Sequence, residues 1–222
     1  MTNTLQLAEL GTQTVAELST RIPGATAVFR AHKIDFCCGG HARLADAVEA
    51  RGLPLEVVAA ELSALVSPEE APPQSVDALI DHILTRYHAV HRRELPELVR
   101  LARRVEAVHG EKPEAPRGLA ALLERIAGDM EAHMQREEEV LFPLMRAGGH
   151  PMIRLPIGAM RMEHDEHGAS LRELARLTHD HSPPEMACGT WRALYAGTQK
   201  LQDDLMEHIA LENNTLFTRF GA

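Results

Sequence analysis

Basic residues are in deficit: 23 Lys and Arg stand against 32 Asp and Glu, a formal net charge of −9. That balance excludes the basic patch nucleic acid requires, and no Lys/Arg cluster is placed to face a membrane. No stretch approaches the roughly 18–20 apolar residues that span a bilayer. The opening Met1-Thr2-Asn3-Thr4-Leu5 lacks the basic head and apolar run of a secretory signal. Cysteine is scarce, and two of the three, Cys37 and Cys38, are adjacent, which does not fit a secreted disulfide framework. β-Branched alternation is sparse in the N-terminal part, which points to small helices there. Together these absences predict a soluble, acidic, cytoplasmic protein that binds neither nucleic acid nor membrane. At 222 residues the chain is long enough for one large or two small domains with a sizeable core.

Histidine is plentiful, with thirteen, and its placement repeats. The pattern His-x-x-x-Glu-x-x-x-Leu-Phe occurs at His133–Phe142 and again at His208–Phe217. A second pattern, His-x-x-His-x-x-x-Leu-x-x-Leu, starts at His88 and again at His164. The C-terminal two-thirds therefore reads as a duplicated helix pair.

The segment Ser67-Pro68-Glu69-Glu70-Ala71-Pro72-Pro73 reads as a linker, because proline fixes φ, removes a donor and disfavours helix before it. It gives an expected organisation of a small helical domain over 1–66, a linker over 67–74 and a bundle over 75–222. Within the first domain, amphipathic stretches at Thr14–Ser19 and Asp46–Leu65 flank a loop at Cys37-Cys38-Gly39-Gly40. After the linker come four amphipathic patterns. The first starts at an N-cap on Ser75 and has Pro96 as an expected kink; the second spans about 116–146 and is stopped by Gly148-Gly149. The third spans about 156–179 and the fourth about 184–220. Four such helices with short connections predict an all-α, antiparallel four-helix bundle.

In a helix, residues four apart lie about 40° apart and about 6 Å along the axis. His133 and Glu137 thus share a face, as do His208 and Glu212, and the flanking apolar residues put each pair inside the bundle. Two buried carboxylates repel one another and cost several kcal/mol or more unless a cation intervenes. His88 and His164 sit on the inward stripes of the other two helices. This makes a set of four histidines and two carboxylates suited to a pair of metal ions. Nitrogen and oxygen donors without thiolate favour iron, with manganese or zinc also compatible. His91 and His167 lie one turn further along, as orienting or rim residues. Glu163 and Asp129 either orient ligands or are solvated, and Glu138 and Glu139 fall off the stripe, which predicts surface positions.

The chain resembles the hemerythrin-like bundle family, and within it the di-iron proteins of iron–sulfur cluster repair. The likeness rests on Ile22-Pro23-Gly24-Ala25 and Ile34-Asp35-Phe36-Cys37-Cys38-Gly39-Gly40. In the bundle it rests on Arg86-Tyr87-His88, His133-Met134-Gln135-Arg136-Glu137, Glu163-His164-Asp165 and His208-Ile209-Ala210-Leu211-Glu212-Asn213-Asn214. The resemblance implies two non-haem iron ions, oxo- and carboxylate-bridged, with His88, His133, His164 and His208 as terminal ligands and Glu137 and Glu212 as bridges. It implies repair of clusters damaged by nitrosative or oxidative stress, by iron donation or nitric oxide handling. Iron–sulfur proteins or a cluster-assembly scaffold are the implied acceptors, nitric oxide or O2 the small ligands. Oxygen-carrying hemerythrins would need a histidine where this chain has Gly168, which favours the repair branch. A nitric oxide reductase, or a sensor or carrier of O2 or nitric oxide, are the alternative readings, with a monomer or homodimer as the assembly.

A disulfide between adjacent cysteines is strained. Cys37 and Cys38 are therefore expected as thiols: spacing alone reads them as an ordinary buried pair at a helix end, whereas the resemblance implies redox or transfer chemistry, as a metal or electron relay or an intermolecular disulfide, with the sulfurs kept approachable by the tight turn at Gly39-Gly40. Cys188 is expected as a small apolar core or loop residue.

Overall fold

The computed structural model describes residues 10–22, 24–37, 39–65 and 75–221. The expected linker over 67–74, Pro23 and Cys38 lie outside the described residues. The fold is all-α, an antiparallel four-helix bundle with a small helical N-terminal region. Contacts divide it into two compact units, one of Met1–Leu79 with Met206–Ala222, the other of Ile80–Leu205.

In the first unit, helices α1 (Val15–Arg21), α2 (Ala25–Ala31), α3 (Leu44–Glu49) and α4 (Leu55–Ala64) surround a core of Val15, Leu18, Phe29, Phe36, Leu44 and Leu62. Thr14 and Glu17 form a reciprocal cap at the start of α1, each side chain accepting from the other's backbone N–H at 3.1 and 2.8 Å. The expected stretch Asp46–Leu65 is divided between α3 and α4, because Gly52 takes a left-handed φ of 65° and Pro54 cannot continue a helix. Helix α2 was not among the expected stretches; seven residues with two buried positions, Ala25 and Phe29, leave a weak periodic signal. The C-terminal segment joins this unit. Asn214 donates to the Phe36 carbonyl at 3.3 Å, and Glu207 accepts from Thr26 at 3.2 Å and pairs with Arg30.

In the second unit, most of the first long helix consists of a π-helical segment (Ile83–His88) and α6 (Ala89–His109), which follow α5 (Val76–His82). Ser75 caps α5 by accepting from Ala78 N–H at 3.2 Å. The chain stays α-helical through Pro96, and the departure from α geometry falls at Ile83–His88. Helix α7 (Leu119–Arg136) runs into a π-helical segment (Glu137–Leu141) and α8 (Phe142–Arg146), which Gly148 and Gly149 stop at φ 88° and 89°. Helix α9 (Arg154–Leu177) packs on α7, as α6 does. Helix α10 (Gly189–Leu211) contributes its residues to Leu205 and approaches α6 closely, since a Cβ on Gly197 would lie 2.5 Å from Leu98 Cδ2.

A buried ionic lock ties α10 to the first long helix. Asp204 accepts from Arg86 and from Lys200, both at 2.7 Å, and its side chain is 7% exposed. Burial pulls the Asp204 carboxyl upward, but the bonds from Arg86 and Lys200 outweigh it and hold the carboxyl below its ordinary range. A depressed folded-state value gives stability that is complete above the unfolded value and lost as pH falls through the folded one. Asp204→Asn is therefore expected to lower stability at pH 7 by about 1–2 kcal/mol, discounted because both cations are partly exposed. Urea titrations of both proteins at pH 7 and pH 3 check this: the gap should narrow at the lower pH, and a constant gap would rule out an ionic cause.

Candidate metal centre

Four of the six residues expected as ligands lie in the second unit, and all four are buried: His88, His133, Glu137 and His164. Helical spacing puts His133 and Glu137 on one face, and the neighbouring helices supply the two others. Glu137 is fully buried, and its two oxygens face two rings. Oε2 lies 3.3 Å from His88 Nε2 and Oε1 lies 3.4 Å from His133 Nε2. His164 Nε2 is 3.2 Å from His133 Nε2. One donor atom from each of His133, Glu137 and His164 falls within 4.8 Å of the other two, the compactness a metal ion demands.

The outer nitrogens of two rings are spoken for. His88 Nδ1 lies 2.7 Å from Glu138 Oε1, and His133 Nδ1 lies 2.7 Å from Glu163 Oε2. Burial pushes both carboxyls up, but bonds from Arg92 and His88 to Glu138, and from Arg136 and His133 to Glu163, hold each below its ordinary range. An ionised carboxylate only accepts, so each Nδ1 carries the proton. A neutral ring protonated there directs its Nε2 lone pair inward, towards the oxygens of Glu137. Lone pairs of two imidazoles and a carboxylate pointing at one another form an electron-rich pocket, which a cation stabilises.

In the first unit, His208 and Glu212 are likewise buried, with Nε2 3.1 Å from Oε1. Both carboxylates open π-helical segments, Glu137–Leu141 and Glu212–Leu216, and His88 closes a third, Ile83–His88. An extra residue in a helical turn re-aims side chains and is common at functional sites.

Two expectations about acidic neighbours resolve differently. Asp129 is exposed, while Glu163 holds His133. Glu138 is a correction to the surface position expected from its place off the stripe: it reaches His88 on a neighbouring helix, while Glu139 is exposed. The signal was present in Arg92, four residues beyond His88, but only the helix-to-helix contact reveals it. His91 and His167 are buried, His91 with its ring stacked at 6.4 Å on Tyr87 and His167 edge-on to the His133 ring at 5.1 Å.

Cys37 is also buried, with its thiol 3.2 Å from Asp35 Oδ1 and its N–H donating to the same oxygen at 3.0 Å. The expectation of an approachable Cys37 sulfur is thus corrected: the Asp35 turn folds it inward. Gly40 serves close packing, since a Cβ there would lie 2.7 Å from the Phe36 carbonyl. Cys188 is exposed in the loop before α10, 3.3 Å from His109 Nε2, which is the loop rather than the core alternative.

Comparison with known proteins places these features in a wider context. Residues 79–220 match the hemerythrin HHE cation binding domain. Residues 11–66 match ScdA_N, a domain of unknown function. The iron-sulfur cluster repair protein YtfE of Yersinia pseudotuberculosis is 47% identical over 211 residues, which cover 93% of this chain and 96% of the relative. YtfE of Yersinia pestis shows the same identity and coverage. The "Probable iron-sulfur cluster repair protein" of Haemophilus influenzae is 42% identical over 213 residues, again covering 93% and 96%.

Proposed function

This chain belongs to the hemerythrin HHE family, and we propose that it is a di-iron protein that repairs iron–sulfur clusters damaged by nitrosative or oxidative stress. The observation that carries the metal reading is the inward aim of His88 and His133 at the two oxygens of the fully buried Glu137. His88, His133, His164 and His208 would hold two non-haem iron ions, with Glu137 and Glu212 as carboxylate bridges beside an oxo bridge. The duplicated His-x-x-x-Glu pattern and the burial of each of the six residues support the metal reading. When bound, an iron pair supplies one-electron redox change and open positions for a small diatomic ligand. The chain's own residues orient the donors and keep bulk water from the carboxylates.

The repair reading draws on relatives named as iron-sulfur cluster repair proteins that match nearly the whole length. Iron is then the cargo, passed to an iron–sulfur protein or an assembly scaffold, with nitric oxide as the stress ligand handled at the same centre. Cys37 and Cys38 are proposed as redox or transfer thiols, and burial of Cys37 means that the loop must open for that role. The division into 1–66, 67–74 and 75–222, and a cytoplasmic location, belong to this proposal. No helix among the described residues is long and apolar enough to cross a membrane.

The test is iron transfer. Protein loaded with iron is mixed with an apo ferredoxin and sulfide, and cluster formation is followed by visible absorption. Reduced protein is expected to rebuild clusters faster than oxidised protein. Equal and negligible transfer from both would remove the donor role.

A further inference from the structure

The inward aim of the histidines is set by charged groups on their outer side. His88 Nδ1 meets Glu138 at 2.7 Å, and Arg92 grips that carboxylate at 2.7 and 3.2 Å. Arg92 also grips Glu131 at 2.9 and 3.1 Å, so its own position is fixed from two sides. The same construction recurs at His133, whose Nδ1 meets Glu163 at 2.7 Å while Arg136 holds that carboxylate at 2.6 Å. The carboxylates come from different helical segments: Glu138 follows Glu137 after α7, and Glu163 precedes His164 in α9.

We propose that Glu138 and Glu163, each clamped by an arginine, are positioning residues that fix the tautomer and aim of His88 and His133 and so set how tightly the centre holds metal. The inference rests on the metal-centre reading above. A ring held by a hydrogen bond at Nδ1 cannot rotate about its own axis, and its lone pair stays on Nε2, directed inward. The arginines supply what packing does not. The Glu138 and Glu163 side chains are 28% and 24% exposed, so each would otherwise exchange its histidine for water. A guanidinium on the outer side restrains the carboxylate, and one oxygen, Glu138 Oε1 or Glu163 Oε2, accepts from both the arginine and the ring. The repeat of this arrangement at both histidines that face Glu137 is the strongest sign of its purpose.

Cobalt(II) titration of the metal-free full chain, read by visible ligand-field absorption, tests this without any activity assay. Glu138→Ala and Glu163→Ala are expected to weaken cobalt affinity by about 10–100-fold. Glu138→Gln and Glu163→Gln, which keep an acceptor oxygen for the ring N–H, should fall between the alanine variants and the unsubstituted chain. A merely structural role would not move the second readout, the paramagnetically shifted exchangeable N–H signals of the ligand rings in proton NMR. One such signal should be lost from each alanine variant. Arg92→Gln and Arg136→Gln, one bond further out, should weaken binding in the same direction, and they serve where an alanine variant does not fold. Unchanged affinity with all shifted N–H signals retained would overturn the positioning role. Absence of cobalt binding by the unsubstituted chain would overturn the metal centre itself, and it shows before any substitution is made.

Discussion

Glu137→Gln is expected to stabilise the metal-free protein and destabilise the iron-loaded one. In the metal-free state, a fully buried carboxylate has two histidine nitrogens for company and no arginine or lysine against it among the described residues. The amide supplies an N–H that can donate to an Nε2 lone pair that now faces only an acid oxygen, a gain of about 1–3 kcal/mol. In the loaded state the same change removes an anionic ligand. A ligand present at a hundred to a thousand times its Kd contributes about 3–4 kcal/mol of stability, and most of that would be lost. Differential scanning calorimetry on both proteins, with and without iron, reads the two signs directly. A shift of the same sign in both states would show that Glu137 is a structural residue with no metal to serve.

Trp191→Ala is expected to cost about 3–5 kcal/mol of folding stability, the usual range for deleting a buried aromatic ring. Trp191 is fully buried in the first turn of α10, tilted against His109 at 5.1 Å and edge-on to Tyr195 at 6.2 Å. His109 ends α6, about 30 Å along that helix from His88 at 1.5 Å per residue. The substitution should therefore weaken the bundle without altering the metal stoichiometry of the protein that remains folded. A urea midpoint that falls with an unchanged m value, together with iron analysis at low denaturant, checks both halves. A loss under about 1 kcal/mol would mean that neighbouring side chains collapse into the space.

Much of the bundle was legible because helical periodicity is a local property. Leu79, Ile80, Ile83, Leu95, Leu98 and Ala102 follow one stripe, and all are buried. Ser75 and Gly148-Gly149 mark ends by chemistry that needs only adjacent residues. The burial of His88, His133, Glu137, His164, His208 and Glu212 follows from the same stripes. Helix α2 escaped because seven residues with two inward positions give no clear period.

The stripe argument failed at Glu138 for a physical reason. Periodicity tells which way a side chain leaves its own helix, but the position of His88 Nδ1 depends on how the Ile83–His88 segment lies against the segment after α7. The same holds for Cys37, whose burial depends on how the Asp35 turn packs, and for Gly197, where the backbone admits Leu98. By itself the chain's order of residues determined the long helices, their inward faces and which donors each face carries, since these depend on neighbours within one turn. Only tertiary structure decided which carboxylate holds which ring and where the helices swell into π turns. Those outcomes depend on contacts between residues as distant as His88 and Glu138, and no local rule sets them.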